Sequence, residues 1–395
     1  MILTRLRSSG LLAQSSIIKK LCSPQVESAS TAGSSCANYR FASTLDLPED
    51  TKGTSSSSGY VSTVFGATGF LGRYVVQNLV KIGSRVIVPY RRSEDDCKHL
   101  RDMGSTGQVM PLRYDISDED SIQAAIAGSN VVVNLIGRDY ESHSFSFEEQ
   151  NVWIPERISR LVAEHGSIDR YVHVSALGAE SDHPAPQYST KAKGEEITFQ
   201  NFPEAIIMRP AHMVGTEDRL LNWWATFAKN TPVVPIIGDG SNKFQPVHVT
   251  DVAAAIVGTI SDDGKSIGKT FDLGGPDVYT VNELVALVFD VIREEPRIFH
   301  ISFETAKLIS NAIGKDLMKS IPNPTPKLIT FTRNNIRSLR RHYVVCRGAL
   351  TFKHLGIRPR KIEGEVLEYL HKYRKDAEST ANIVGAQTRE VSLKT

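Results

Sequence analysis

From Tyr60 onward, short apolar runs alternate with stretches of helical spacing. Tyr60–Phe65 is rich in β-formers. After a glycine loop, Phe70–Ile82 carries Leu71, Val75, Val76, Leu79 and Val80 on one helical stripe. Arg85–Tyr90 reads as a second strand and Asp95–Met103 as helix. Val109–Arg113, Val131–Ile136, Tyr171–Ser175 and Ala205–Met208 read as further strands. Ser117–Ala127, Phe147–His165 and Ser189–Phe199 read as the helices between them. Strand and helix in strict alternation predict a parallel sheet covered on both faces, the doubly wound α/β class.

The segments around this pattern look different. Residues 1–26 contain no acid and can form an apolar-basic helix, and hydroxylated residues punctuate the stretch to Thr44. No compact apolar core leads to a small-residue cleavage site, so residues 1–42 read as an organelle transit peptide. Arg40-Phe41-Ala42-Ser43 places a mitochondrial-type cut near Ser43. An addressless tail and chloroplast import are the alternatives. Residues 43–59 are polar, Ser-rich and without period, which predicts a flexible linker.

Charge follows the same division. Arg5, Arg7, Lys19, Lys20 and Arg40 stand against Glu27 alone in the leader. That surplus of four exceeds the formal +2 of the 395 residues, so the remainder is net acidic. Nucleic-acid binding is therefore not expected. No apolar run reaches eighteen residues, so no membrane-spanning helix is expected. Cys22 and Cys36 leave with the leader. Cys97 and Cys346 lack metal spacing and read as reduced thiols; no metal site is predicted.

The candidate chemistry begins at Gly66-Ala67-Thr68-Gly69-Phe70-Leu71-Gly72, between the first strand and the first helix. The glycines allow a tight turn and close approach to a pyrophosphate, which the helix N-terminus attracts. This G-x-x-G-x-x-G spacing, opening a series of βα units, resembles the short-chain dehydrogenase/reductase superfamily, in its extended or atypical branch. The resemblance covers residues 60 to about 295. It implies a Rossmann dinucleotide-binding domain with an interleaved second lobe at about 211–248 and 266–295. Gln245–Val252 and Asp272–Pro276 match second-lobe landmarks of that branch. Residues 296–395 then form a helical C-terminal extension with a polar tail.

Where an NAD-preferring relative has an acid, the second strand ends in Tyr90, Arg91 and Arg92. A guanidinium fork suits a 2′-phosphate, so tightly bound NADPH or NADP+ is the expected cofactor. The resemblance also assigns Asp115 and Ile116 to the adenine, Leu135, Ile136 and Gly137 to the cofactor wall, and Arg209 and Pro210 to the nicotinamide turn.

Catalysis in this superfamily uses a Tyr acid, a Lys four residues later that also holds the ribose, and a Ser on the preceding strand. Ser175 fits the Ser, and Lys191-Ala192-x-Gly194-Glu195 fits the Lys and the Glu after it. Four residues before Lys191, however, stands Gln187. An amide supplies no proton near neutral pH. Three readings follow: Tyr188 takes over if the helix starts late, Lys191 itself serves as acid, or the cofactor is bound without turnover.

The leader, GATGFLGRYVV at Gly66–Val76, NLIGR at Asn134–Arg138, FPEAIIMRP at Phe202–Pro210 and GTEDRLLN at Gly215–Asn222 resemble a mitochondrial branch of the superfamily. Its members are accessory subunits of respiratory complex I. That resemblance implies a catalytically inactive subunit on the matrix side of the inner membrane. Its implied partners are the hydrophilic core subunits near the quinone entry. In the extension, Ala306–Met318 is expected to be helical with an apolar stripe of Leu308, Ile309, Ile313 and Leu317. Arg333, Arg337, Arg340, Arg341, His342 and Arg347 form a basic tract that is either a solvated face or a surface for lipid headgroups. Trp223 and Trp224 are expected to pack in the second lobe, and His212 and His248 to be buried without ligand.

Overall fold

The computed structural model describes residues 58–142, 144–313 and 331–374. The leader, nearly all of the linker and the polar tail lie outside the described residues. Seven parallel strands form the central sheet: β1 (Val61–Phe65), β2 (Arg85–Tyr90), β3 (Val109–Arg113), β4 (Val131–Asn134), β5 (Arg170–Val174), β6 (Ile206–Pro210) and β11 (Thr270–Leu273). Their order is β3-β2-β1-β4-β5-β6-β11. The order reverses between β1 and β4, and a crevice opens at their carboxyl ends.

Both sheet faces are covered, as continuous apolar strands require. One face packs Val64, Val86, Val88, Val133 and Val172 against Leu71, Val75 and Leu79 of α1 (Phe70–Lys81). Ala253 and Ile256 of a further helix, Val249–Ile260, complete that layer. The opposite face packs Phe65, Val132 and Tyr171 against Ile122 and Ile126 of α2 (Glu119–Ile126) and Ile158 and Leu161 of α3 (Ile154–His165). A π-helical turn, Glu149–Trp153, precedes α3.

The expected elements are present with shifted ends. The fifth helix of the pattern, α4, spans Pro186–Asn201 and so begins three residues earlier than the spacing predicts. Pro186 at its first position has no N–H to leave unpaired and a φ already suited to a helix. Asp95–Met103 divides into a 3₁₀ turn, Glu94–Cys97, and a single helical turn, Lys98–Arg101.

A smaller second lobe contains α5 (Leu220–Asn230), β8 (Val234–Ile237), β9 (Lys243–Phe244) and α7 (Val281–Ile292), taking α6 as Val249–Ile260; the short strand β7 (Met213–Val214) pairs with β10 (Val247–His248), and β12 (Tyr279–Thr280) with β9. Trp223, Trp224 and Phe227 pack here with Leu284, Val288 and Phe289, as expected. The strand β11 was expected within this lobe; it instead pairs with β6, Phe271 opposite Met208, and belongs to the main sheet.

The C-terminal region is not a purely helical appendage. Its first element, β13 (Ile298–Ile301), pairs with β8 in parallel. Among the described residues, two helices, α8 (Phe303–Ile313) and α9 (Arg333–Ser338), follow; α10 (Ile362–Leu370) and a 3₁₀ turn, His371–Tyr373, come last. Tyr343, Ile362, Val366 and Leu370 are buried in the second lobe's own core. The expected apolar stripe on α8 is also corrected: Ala306 and Ser310 are the buried positions, while Leu308 is 69% exposed. Lys315, Leu317 and Met318 lie outside the described residues.

Candidate functional site

The glycine loop leaves β1 through Gly66, whose φ of +79° favours glycine. A Cβ there would lie 3.1 Å from the Leu135 carbonyl carbon, so the loop rests on the end of β4. Gly72 permits an equally close approach, since its Cβ would stand 2.4 Å from the Ala67 oxygen. Gly69 caps α1 without a side-chain hydrogen bond, and the first turn contains no acid. The amides of that turn therefore face the crevice with no competing carboxylate, the usual setting for a phosphate group.

The crevice is a cleft of about 160 Å³. Gly66, Thr68 and Gly69 form one side, Leu135, Ile136 and Gly137 another, and Arg91 stands at the end of β2. The Arg91 guanidinium lies over the Phe145 ring, 5.3 Å from its centroid, which orients the fork. Ala67 and Leu71 are buried in the core, and Phe70 stacks edge-on against Tyr74 at 6.0 Å, so these three serve the loop's backbone course. Arg92 is exposed and outside the cleft wall.

Asp115 and Ile116 are likewise absent from the wall. Asp115 accepts a hydrogen bond from the Ser117 amide at 2.9 Å, and Ile116 is buried beneath. Their neighbour Tyr114 lines the cleft instead, its hydroxyl pushed up to about 12 by burial. Ser142, Phe145 and Gln150 are wall residues that the pattern did not reveal, because they lie on an irregular loop and the π-helical turn. Among the described residues no cluster of His, Cys, Asp or Glu could hold a metal ion.

The residues matching the catalytic set gather between β5 and α4. The Lys191 ammonium donates to the Ser175 carbonyl oxygen at 3.2 Å and approaches Gly137 of the cleft. Burial lowers its pKa to about 8, with Glu195 opposing. The Ser175 hydroxyl is buried and has no protein partner. An unpaired buried hydroxyl on the residue that Lys191 bonds, with Lys191 itself close to Gly137 of the cleft, fits the expectation that a bound dinucleotide completes the site. His173 lies beneath, accepting from the Asn134 amide at 3.2 Å. Burial, then the nearby Lys191 charge, holds it neutral, down at about 3.

Gln187 stands four residues before Lys191, and its side-chain oxygen and backbone N–H both meet Asn334. Asn334 of α9 donates to the Gln187 side-chain oxygen at 2.9 Å and accepts from the Gln187 amide N–H at 3.1 Å. Tyr188 points elsewhere. Its ring packs 5.0 Å from Tyr343 and 4.6 Å from His183, and burial pushes its hydroxyl up to about 12. Because α4 starts early, the late start that would bring Tyr188 round does not occur. Arg209 turns its fork onto buried Glu195, at 2.6 Å for the shorter contact, and Pro210 ends β6. Neither lines the cleft.

Residues 62–274 match the NAD dependent epimerase/dehydratase family. The chain is 49% identical over 346 residues to the mitochondrial NADH dehydrogenase (ubiquinone) 1 alpha subcomplex subunit 9 of Arabidopsis thaliana, covering 86% of each. To the protein of the same name in Rattus norvegicus it is 37% identical over 352 residues, covering 89% of this chain and 90% of that one. The chain belongs to both families. In fold it resembles the dTDP-glucose 4,6-dehydratase of Bacillus anthracis, solved with NAD, at a TM-score of 0.59. That match is 17% identical and covers 81% of this chain and 98% of the other, so it speaks for the fold alone. The extended short-chain dehydrogenase architecture expected from the glycine loop is therefore the one present.

Proposed function

We propose that the protein is a non-catalytic, NADP(H)-binding accessory subunit of mitochondrial respiratory complex I. The observation carrying this reading is Gln187. An amide stands at the acid's position and is engaged by Asn334, while the nucleotide cleft beside it keeps its glycine loop. The names of the relatives supply the assembly. When bound, the dinucleotide would contribute a hydride-carrying ring, but no proton donor of the superfamily's kind faces it.

The residues that would hold it are the loop amides at Gly66–Gly72 for the pyrophosphate, Lys191 for the ribose, and Arg91 for a 2′-phosphate. Arg91 supports NADP(H) over NAD(H), since no carboxylate ends β2 to accept ribose hydroxyls. The partners we infer are hydrophilic core subunits near the quinone entry, with the protein peripheral on the matrix side of the inner membrane. Among the described residues no helix is long and apolar enough to cross a membrane. The basic tract is partly engaged within the chain: Arg340 lies over Phe303 and Arg333 donates to Asn311. Arg341 lies 3.9 Å from both Glu180 and Asp182, and His342 accepts from the Lys243 N–H at 3.0 Å, which leaves Arg337 and Arg347 as the lipid-facing candidates.

The test is co-migration of the epitope-tagged full chain with complex I on native gels of solubilised mitochondria. Migration only as a free species would reject the reading. A second reading, turnover through Lys191, is favoured by its lowered pKa beside the free Ser175 hydroxyl. It predicts substrate-dependent oxidation of bound NADPH that Lys191→Met abolishes; no oxidation across carbonyl and quinone panels would reject it.

A further inference from the structure

Arg138, Ser142 and Phe145 line the nucleotide cleft but belong to no strand or helix. A wall of that kind parts from the sheet without unpairing a strand, whereas the glycine loop opposite rests on the end of β4. Whatever holds the irregular wall therefore governs how fast a dinucleotide enters or leaves.

Residues 215–219, which lead from β7 into α5, hold it. Arg219 donates to Asp139 at 2.6 Å. The next ring in the chain, Tyr140, takes two guanidinium groups, Arg219 at 5.5 Å and Arg138 at 5.6 Å from its centroid. On the other side, Glu217 accepts from Arg73 at 3.2 Å and from the Tyr74 hydroxyl at 3.0 Å, both on α1. Gly215 approaches Phe70 so closely that a Cβ would stand 3.2 Å from the ring. One short segment thus joins α1, which opens at the glycine loop, to the irregular wall.

The segment is also stiff. Asp218 is 3% exposed, and its carboxylate accepts from the amides of Gly215 at 3.4 Å, Leu221 at 2.7 Å and Asn222 at 3.3 Å. One buried carboxylate fixes both ends of the turn, so residues 215–219 move with α5 as a unit. None of Arg73, Tyr74, Asp139, Tyr140, Glu217 and Arg219 lines the cleft.

We propose that residues 215–219 form a strap that holds the irregular wall closed and sets the rate of dinucleotide exchange. This rests on the reading that the cleft binds NADP(H). Because the fastening side chains lie outside the cleft, loosening them speeds entry and exit alike and leaves Kd unchanged. Exposed ion pairs contribute little each, so reversing one charge should speed exchange about fivefold without abolishing binding.

The experiment measures both rates on the full chain. Nicotinamide fluorescence follows NADPH release while excess NADP+ traps the emptied site, and stopped-flow mixing with stripped protein follows uptake. Arg219→Asp is expected to raise both rates by that factor at unchanged Kd. Adding Asp139→Arg re-forms the pair with its charges exchanged and should restore slow exchange. Glu217→Gln loosens the other fastening and should act in the same direction; it also serves if Arg219→Asp fails to fold. Unaltered rates in a folded variant, faster release with no faster uptake, or no restoration by the exchanged pair would overturn the strap alone. A wild-type chain that takes up no NADPH would reject the reading of the cleft, and the strap with it.

Discussion

At position 187 a carboxamide meets another carboxamide. Asn334 satisfies both the side-chain oxygen and the backbone N–H of Gln187. Sequence alone reveals that no tyrosine stands four residues before Lys191, but not this pairing, because 147 positions separate the partners. In the proposed reading, Arg91 selects the nucleotide. Arg91→Asp puts a like charge where a 2′-phosphate would sit, so NADPH retained through purification should fall at least tenfold, a loss of about 1.4 kcal/mol or more. Nucleotide release on denaturation measures it, and full retention would refute the assignment. His173 carries a pH signature. Unfolded, it protonates near 6.5; folded, it resists to about 3. The folded pKa is depressed, so acid favours the unfolded chain: stability is complete above about pH 6.5 and falls as pH drops towards 3. Between pH 7 and 5 the loss is roughly 2 kcal/mol from this one group. Urea unfolding at the two pH values should show it, and His173→Gln should reduce it.

Among the elements, the run from β1 to β6 was readable because each strand is short, apolar and bounded by turn residues. The C-terminal region was harder to read. Its basic tract and helical spacing suggested an appendage, yet Tyr343 is 2% exposed, bonds through its backbone N–H to the Lys243 oxygen, and stacks on Phe244. Arg360 adds a second fastening, donating from its side chain to Asp251 at 3.1 Å and from its backbone N–H to the same carboxylate at 2.7 Å. Long-range pairings of this kind leave no local period to detect. Tyr343→Ala removes a buried aromatic from the centre of this region, with an expected cost of about 3–5 kcal/mol. Denaturant midpoints measure the cost, and limited proteolysis should cut first between α9 and α10. An unchanged midpoint would show that the extension is not integral to the lobe.

Over the whole molecule, the nucleotide cleft joins segments from β1, β2 and β4 to the irregular loop before α3. A ligand that binds only this assembled form stabilises it by mass action, about 2.7 kcal/mol at ~100 times its Kd. Stripping the nucleotide should therefore lower the melting temperature by several degrees, and added NADPH should restore it more fully than NADH. Equal restoration by the two would count against a 2′-phosphate site.

Local patterns along the chain establish the doubly wound class, the glycine loop and a Gln four places before Lys191. Each is local: a hydrophobic period, a spacing of glycines, or one residue four places before a lysine. Three-dimensional packing is what places Tyr188 in an aromatic core, Arg91 and not Arg92 at the cleft, and Asn334 against Gln187. Those outcomes depend on which side chains a packed interior brings together across more than a hundred residues, and close packing, not periodicity, makes that choice.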